Sequence, residues 1–291
     1  MAGSSRGRVL VAGASGVLGR QLVSQFKRRG WWVRTLCRLA GAAPEGTDEH
    51  RVADIRNTEA MRAACDGVDT VFSTVGASLS MSPMLWSPDF RAIDYRGNLN
   101  LLTAAKAAGV TRFGYASVFR TPDLIHLSYI RAHIEFEDAL QDSGLAYSIL
   151  QPTGYFSAFS VIPRIVRYGV APLIGDGSAR TNPIHEADLA EACVNAIEAG
   201  EAVVPIGGPD IFTRQEVFDI AFAAAHKKPR YVKLPRFVMG INRLMITPFD
   251  PRLSQVLAFF ERVNTTDIVA PPFGTHRLPA YLKAELEHAK S

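Results

Sequence analysis

Tyr129 and His133 stand four positions apart in the segment Tyr129-Ile-Arg-Ala-His133-Ile-Glu-Phe-Glu137. In a helix this spacing puts both side chains on one face. A phenol with a cation beside it can donate a proton to a carbonyl, because the cation lowers the phenol pKa. A neutral His133 does this weakly, and an imidazole changes charge at about pH 6.5. Ser117, at the end of Tyr115-Ala-Ser117, offers a hydroxyl to the same chemistry. Plainer readings stand beside these: a structural tyrosine, a surface histidine, and a small residue fitting the end of a strand.

A second constellation is suited to binding an anion. Val9-Leu-Val-Ala-Gly13-Ala-Ser15-Gly16-Val17-Leu18-Gly19 is an apolar run that ends in three glycines and passes into an apolar helical pattern. This is a strand, a tight turn and a helix start, the arrangement that cradles a dinucleotide pyrophosphate. Gly13 allows the turn, Gly16 lets the backbone approach the phosphates, and Gly19 lets helix and strand pack closely. The backbone N–H groups from Ser15 to Gly19 then point at the anion, helped by the helix dipole. The spacing is G-x-x-G-x-x-G, not the stricter G-x-G-x-x-G.

The ends of the following strands supply further candidates. Val33-Arg-Thr-Leu-Cys-Arg38 has no acid to bond the ribose hydroxyls of NAD, and the Arg38 guanidinium suits the 2′-phosphate of NADP. Arg20 could join it; both are otherwise solvated surface arginines. Asp54-Ile55 closes a third short strand, where Asp54 could meet an adenine amino group or serve as a turn residue. Phe72-Ser-Thr74-Val75-Gly76 ends in a glycine that either lets backbone approach a ribose or makes a plain turn. In Gln151-Pro152-Thr153-Gly154-Tyr155-Phe156 the proline and glycine bend the chain across the nicotinamide end. Tyr155 and Phe156 could line an apolar pocket above it, whereas Phe159 reads as core packing.

Regular elements must position these groups. Strands are predicted over Val9–Ala12, Trp32–Cys37, Thr70–Val75, Arg112–Ala116 and Ala146–Gln151. Helices are predicted between them over Gly19–Arg29, Thr58–Cys65, Tyr95–Ala108 and Tyr129–Ser143. The alternation predicts an α/β fold, a Rossmann-type doubly wound parallel sheet with helices on both faces. Gly30, Gly67, Gly109 and Gly144 sit at helix ends, where a left-handed residue is cheap. Residues 1–155 read as an NADP-binding core. Residues 156–291, punctuated by prolines, read as a mixed helical and loop region that binds substrate, closes over the carboxyl edge and partly continues the sheet. Helices are expected there at Glu186–Ala199 and Thr213–Ala225, the second opened by a Thr213/Glu216 capping box.

The bulk numbers exclude several classes. A chain of 291 residues with 47% hydrophobic and 21% charged residues is ordinary for a globular protein. A net charge of +4 does not call for nucleic acid, and no apolar run is long enough to span a membrane. The polar N-terminus, followed by an apolar run broken at Gly13, is too short for a signal segment. Cys37, Cys65 and Cys193 lack metal-ligand spacing; reduced thiols in a cytoplasmic setting are the simplest reading. His185-Glu-Ala-Asp188 is not a zinc motif, and Asp188 reads as a residue that caps or braces a helix. Lys227, Lys228, Arg230, Lys233 and Arg236 form a basic cluster, read as a solvated face, with an acidic substrate or a membrane surface as the alternatives. Oligomeric state is not legible.

Taken together, these segments resemble the short-chain dehydrogenase/reductase superfamily in its atypical, NmrA-like branch, nearest to divinyl chlorophyllide 8-vinyl reductase-like proteins. GASGVLG, VRTLCR, Asp54-Ile55, Asp94-Tyr-Arg-Gly97-Asn-Leu-Asn-Leu, AGVTRFGYASV and SGLAYSILQPTGYF carry the resemblance, over about residues 8–225. It implies NADP(H) as cofactor and reduction of a polarised C=C or C=O in a bulky, largely apolar small molecule. The superfamily's active site is Tyr-x-x-x-Lys, whose Lys grips the nicotinamide ribose and lowers the Tyr pKa. Here His133 stands at the Lys position. Either His133 serves a modified role, or the chain binds the cofactor without turnover as a redox sensor or assembly factor. An NAD-dependent epimerase, isomerase or dehydratase is a further alternative, disfavoured by Arg38.

Overall fold

In a computed structural model, residues 6–77, 79, 89–235 and 245–288 are described. Arg236 of the basic cluster and residues 1–5 of the N-terminus lie outside them. In chain order the first half comprises β1 (Arg8–Ala12), α1 (Val17–Arg28), β2 (Trp32–Cys37), β3 (Glu49–Val52), α2 (Thr58–Cys65), β4 (Thr70–Ser73), a π-helical turn (Arg91–Gly97), α3 (Asn98–Ala107), β5 (Arg112–Ala116), α4 (Ser128–Gln141) and β6 (Ala146–Pro152). The second half comprises a 3-10 turn (Phe156–Phe159), α5 (Ile162–Val166), β7 (Ala171–Ile174), β8 (Arg180–Thr181), α6 (Glu186–Ala199), β9 (Val203–Ile206), β10 (Phe212–Thr213), α7 (Arg214–Ala224), β11 (Tyr231–Leu234), α8 (Pro251–Thr265) and α9 (Leu278–His288).

The main sheet runs β3-β2-β1-β4-β5-β6-β9 with every pair parallel. This is the doubly wound order, extended by a seventh strand, and it reverses between β1 and β4, where such sheets bind ligands. The strands read as near-continuous apolar runs because both faces are covered. One face packs Leu18, Leu22 and Phe26 of α1 with Leu189, Cys193 and Ile197 of α6. The other packs Met61 of α2, Leu101 of α3 and Phe136 of α4. The predicted alternation is therefore present, and Gly30, Gly67, Gly109 and Gly144 all take positive φ where their helices stop.

Several boundaries shift by one or two residues from the sequence reading, and three of the differences bear on the site. The third strand ends at Val52, two residues before Asp54, so Asp54 starts the following turn. β4 ends at Ser73, which leaves Thr74 and Val75 in the loop at the carboxyl edge. The helix predicted from Tyr95 begins instead as a π turn at Arg91, carrying Asp94 and Tyr95 on a wider ring than an α-helix would. β9 was not predicted; Pro205 inside it is tolerated because it is the edge strand.

The second half builds its own apolar cluster from Phe156, Val166, Phe222 and Leu282. The Thr213/Glu216 capping box forms as expected, Thr213 Oγ1 accepting from Glu216 N at 3.1 Å and Glu216 Oε2 from Thr213 N at 2.7 Å. Cys37, Cys65 and Cys193 are buried and unpaired. No helix among the described residues is long and apolar enough to cross a membrane.

Candidate active site

The site begins where α1 leaves β1. Gly13 takes φ +78°, and a Cβ there would stand 2.7 Å from Thr74 Oγ1. That hydroxyl donates to the carbonyls of Ala12 (3.1 Å) and Gly13 (3.2 Å), so the end of β4 latches the turn. A Cβ on Gly19 would lie 2.3 Å from the Gly13 carbonyl oxygen, so only glycine lets helix and turn pack this closely. Gly16 N-caps α1 without a side-chain bond, and the first turn of α1 holds no acid. The orphan N–H groups at Val17 and Leu18 therefore keep their partial positive charge for an anion. A Cβ on Gly16 would meet the Gly13 carbonyl at 3.3 Å and nothing else within 4 Å. An open, electropositive cradle of this kind fits a dinucleotide pyrophosphate.

Arg38 is exposed just past β2 and has no ion-pair partner among the described residues. Arg20 is folded back, its Nε donating to the Ser15 carbonyl at 3.1 Å. Asp54 is held by Arg56 through Nε (2.9 Å) and Nη2 (2.7 Å). These bonds keep its carboxyl down at about 2, with a smaller pull from Arg38. Ile55 is buried against Gly97, where a Cβ would meet its Cγ2 at 2.7 Å. The Val75–Ala77 loop is tied from the helix side. Asn98 Nδ2 donates to the Val75 carbonyl at 3.1 Å, and Ala77 N donates to Asp94 Oδ1 at 3.1 Å. Gly76 passes over that carboxylate, a Cβ on it falling 3.0 Å from Oδ1.

Beneath the strand ends, α4 presents Tyr129, His133 and Glu137, a stripe at i, i+4 and i+8. Tyr129 and His133 meet edge to face with ring centroids 4.7 Å apart. Phe90 (5.3 Å) and Phe259 of α8 (5.1 Å) complete an aromatic surround. The Tyr129 hydroxyl has no hydrogen-bond partner among the described residues. His133 is 3% exposed. Its Nδ1 lies 2.5 Å from the Tyr115 hydroxyl and its Nε2 lies 3.4 Å from Asp94 Oδ1. Burial pulls His133 down to about 3 and pushes Asp94 up to about 7. The imidazole is therefore neutral, and the cation that would acidify Tyr129 is absent. Burial, with smaller contributions from Asp94 and Tyr155, raises the Tyr129 phenol well above its ordinary value.

Glu137 closes the stripe with no exposed surface. It accepts from the Ser117 hydroxyl and from Gln151 Nε2 (2.9 Å), and Arg120 Nη1 pairs with it at 2.9 Å. Burial raises its pKa against these partners. Ser117 and Gln151 are thus brought together, but their side chains are engaged with Glu137. Past β6, Thr153 donates to the Asn182 carbonyl at 2.6 Å, the Pro152 carbonyl accepts from Phe119 N at 2.9 Å, and Gly154 takes φ +150°. Tyr155 is half-buried. Phe156 is 1% exposed and packs against His185 (5.4 Å) and Tyr281 (5.5 Å), in the core of the second half.

The residues that sequence reasoning missed are Asp94, Tyr115, Glu137 and Arg120. The one signal for Glu137 was its place four residues beyond His133; nothing local marked Asp94 or Arg120. Asp188 braces as expected, its carboxylate accepting from Thr275 N and His276 N at 3.0 Å. No metal-binding group of His, Cys, Asp or Glu occurs among the described residues.

A doubly wound parallel sheet with a glycine cradle at its switch point defines a nucleotide-binding class, and residues 13–199 match the model of the NAD(P)H-binding family. The chain belongs to that family. Divinyl chlorophyllide a 8-vinyl-reductase of Oryza sativa subsp. indica is 30% identical to it, over 79% of this chain and 62% of the rice protein; the chain thus spans less than two thirds of that relative's length. Photosystem II assembly factor Ycf39 of Guillardia theta is 26% identical over 88% of this chain and 83% of that protein. Among solved structures, an NADPH-dependent quinone oxidoreductase from Escherichia coli complexed with NADPH superposes with a TM-score of 0.72. It is 20% identical, and the match covers 97% of this chain and 100% of that one; the likeness establishes the fold. The resemblance drawn from the motifs is met by these relatives.

Proposed function

We propose that this chain is an NADPH-dependent reductase that delivers a hydride to a C=O or polarised C=C of a bulky, largely apolar small molecule. The observation that carries the reading is the Tyr129 hydroxyl, unbonded among the described residues and ringed by Phe90, Phe259 and His133. NADPH, when bound, supplies the hydride. The Gly13–Gly19 turn holds the pyrophosphate, Arg38 meets the 2′-phosphate, and the Thr74–Gly76 and Gln151–Gly154 segments flank the ribose and nicotinamide. Tyr129 donates its proton to the acceptor atom on which negative charge develops; its raised pKa keeps it protonated throughout the working range. His133, neutral and fixed between Tyr115 and Asp94, holds the floor on the ribose side. Ser117, bonded to Glu137, steadies the carboxyl end of β5 beside the site, and Tyr155 with the α8 aromatics excludes water from the acceptor. The buried, unpaired cysteines suit a reducing, cytoplasmic setting.

NADPH oxidation across a panel of enones, quinones and ketones tests the proposal. Tyr129→Phe should lower turnover about 100-fold or more with NADPH affinity unchanged; unchanged turnover would sink the assigned role. The absence of a cation beside Tyr129 favours one rival, a redox sensor or assembly factor that binds NADP(H) without turnover. Tight NADPH binding with no oxidation by any acceptor would select it.

A further inference from the structure

The cations of this chain are unevenly distributed. Residues 143–175 and 220–235 contain no aspartate or glutamate, yet hold Arg164, Arg167, Lys227, Lys228, Arg230 and Lys233. These six cations stand against a net charge of +4 for the whole chain, so the remaining residues together carry −2. The fold brings the two acid-free segments side by side. β7 pairs with β11, Val232 opposite Pro172; Ala171 N donates to the Arg230 carbonyl at 2.9 Å; and Lys227 Nζ donates to the Arg167 carbonyl. All six cations are exposed. Among the described residues no carboxylate lies within ion-pair distance of Arg164, Lys228, Arg230 or Lys233.

Exposed apolar groups stand in the same platform. Tyr168 is 89% exposed, Val232 52% and Val170 41%, and Pro172 is exposed on the β7 side of the Val232 register pair. One carboxylate, the exposed Asp176 just past β7, lies within electrostatic reach of Lys233, and the platform stays cationic; an aromatic and branched aliphatics amid these cations match the chemistry of a bilayer surface. The cations meet anionic headgroups, and the tyrosine ring sits at the level of the headgroups. Duplex nucleic acid would satisfy the cations but leave Val170, Pro172 and Val232 with no partner. We infer that the β7–β11 platform docks this protein on the surface of an anionic lipid membrane, with Tyr168 inserted among the headgroups. The docking is peripheral, through a two-stranded sheet and its flanking turns. It does not depend on the reductase reading, since none of these residues belongs to the glycine cradle or to the α4 stripe.

Co-sedimentation of the full chain with vesicles tests this. One set is phosphatidylcholine alone, the other phosphatidylcholine with one-third phosphatidylglycerol. The protein should pellet with the second set, not the first, and be released at high salt. Each platform cation removed should weaken binding about five-fold, so Lys228→Ala/Arg230→Ala should weaken it about 25-fold, and Lys228→Glu/Arg230→Glu should abolish it. Tyr168→Ala should weaken it several-fold without altering the salt dependence. The charge-matched control Arg62→Glu/Lys106→Glu, on α2 and α3, should bind like the parent. NADPH titration of each variant shows that it is folded. Failure to pellet with the anionic vesicles would overturn the inference. So would equal loss in the control, or parent binding to a short DNA duplex that is as tight as its vesicle binding and equally lost in Lys228→Glu/Arg230→Glu.

Discussion

The glycine cradle and the floor under the α4 stripe lie at the same edge of one sheet, yet they are built on opposite principles. The cradle works by leaving groups unpaired: helix N–H donors at Val17 and Leu18, and an exposed guanidinium at Arg38. The floor works by pairing: one buried carboxylate, Glu137, collects Ser117, Gln151 and Arg120, and a second, Asp94, faces His133 at 3.4 Å. A binding surface for a charged ligand must keep its donors free, whereas a buried polar layer must satisfy nearly all of its groups. His133 Nε2, Asp94 Oδ2 and Arg120 Nη1 are exceptions in the floor, each buried without a hydrogen bond, although Arg120 Nη1 stays in an ion pair with Glu137 at 2.9 Å.

Breaking the floor should have the larger consequence. Glu137→Ala leaves Ser117, Gln151 and Arg120 without their shared acceptor and should cost about 3–5 kcal/mol of stability. Chemical denaturation measures this, and Glu137→Gln should recover much of the loss. On the cradle side, Gly19→Val forces a side chain against the Gly13 carbonyl. It should cost about 1–3 kcal/mol and abolish NADPH binding, read by calorimetric titration beside a thermal melt. Arg38→Ala should leave stability untouched and weaken NADPH about 10- to 100-fold, the range for a lost charge-assisted hydrogen bond, with NADH affinity unchanged. If both cofactors weaken equally, Arg38 does not read the 2′-phosphate.

A change of slope, rather than of stability at one pH, sharpens the comparison most. Asp94 titrates at about 7 in the folded protein, against about 3.9 in the unfolded chain, so its contribution is present at acid pH and is lost as pH rises toward 7. His133 titrates at about 3 folded against about 6.5 unfolded, so its contribution is present above 6.5 and is lost as pH falls toward 3. Between pH 4 and 6.5 the two slopes oppose and nearly cancel in the parent. Asp94→Asn should expose a rise in stability with pH, and His133→Phe a fall, each approaching about 1.4 kcal/mol per pH unit. Denaturant midpoints at a series of pH values decide it; parallel slopes in all three proteins would show that the pair does not share this balance.

The cradle and the sheet were legible because their signals are local. Val9–Ala12 announces a buried strand, Gly13, Gly16 and Gly19 announce the turn that only glycine can make, and Gly30, Gly67, Gly109 and Gly144 stop helices where φ must turn positive. The i, i+4 spacing placed Tyr129 against His133 before any tertiary contact was known. What spacing could not supply was charge. An imidazole four residues from a phenol can be charged or neutral, and burial in the packed core around α4 keeps His133 neutral. Ser117 likewise has the place of a catalytic hydroxyl at a strand end, and Glu137, twenty residues away in sequence, accepts its hydrogen bond.

By itself, then, the sequence determined the doubly wound sheet and the glycine cradle, because each depends on the conformational limits of residues adjacent in the chain, and it showed Arg38 rather than an acid at the end of β2. Only the tertiary structure decided the π turn that carries Asp94, the neutrality of His133, the capture of Ser117 and Gln151 by Glu137, and the covering of Tyr129 by Phe259 of α8. Those outcomes depend on which distant segments exclude water from a group, and desolvation is a property of the packed molecule rather than of any stretch of its chain.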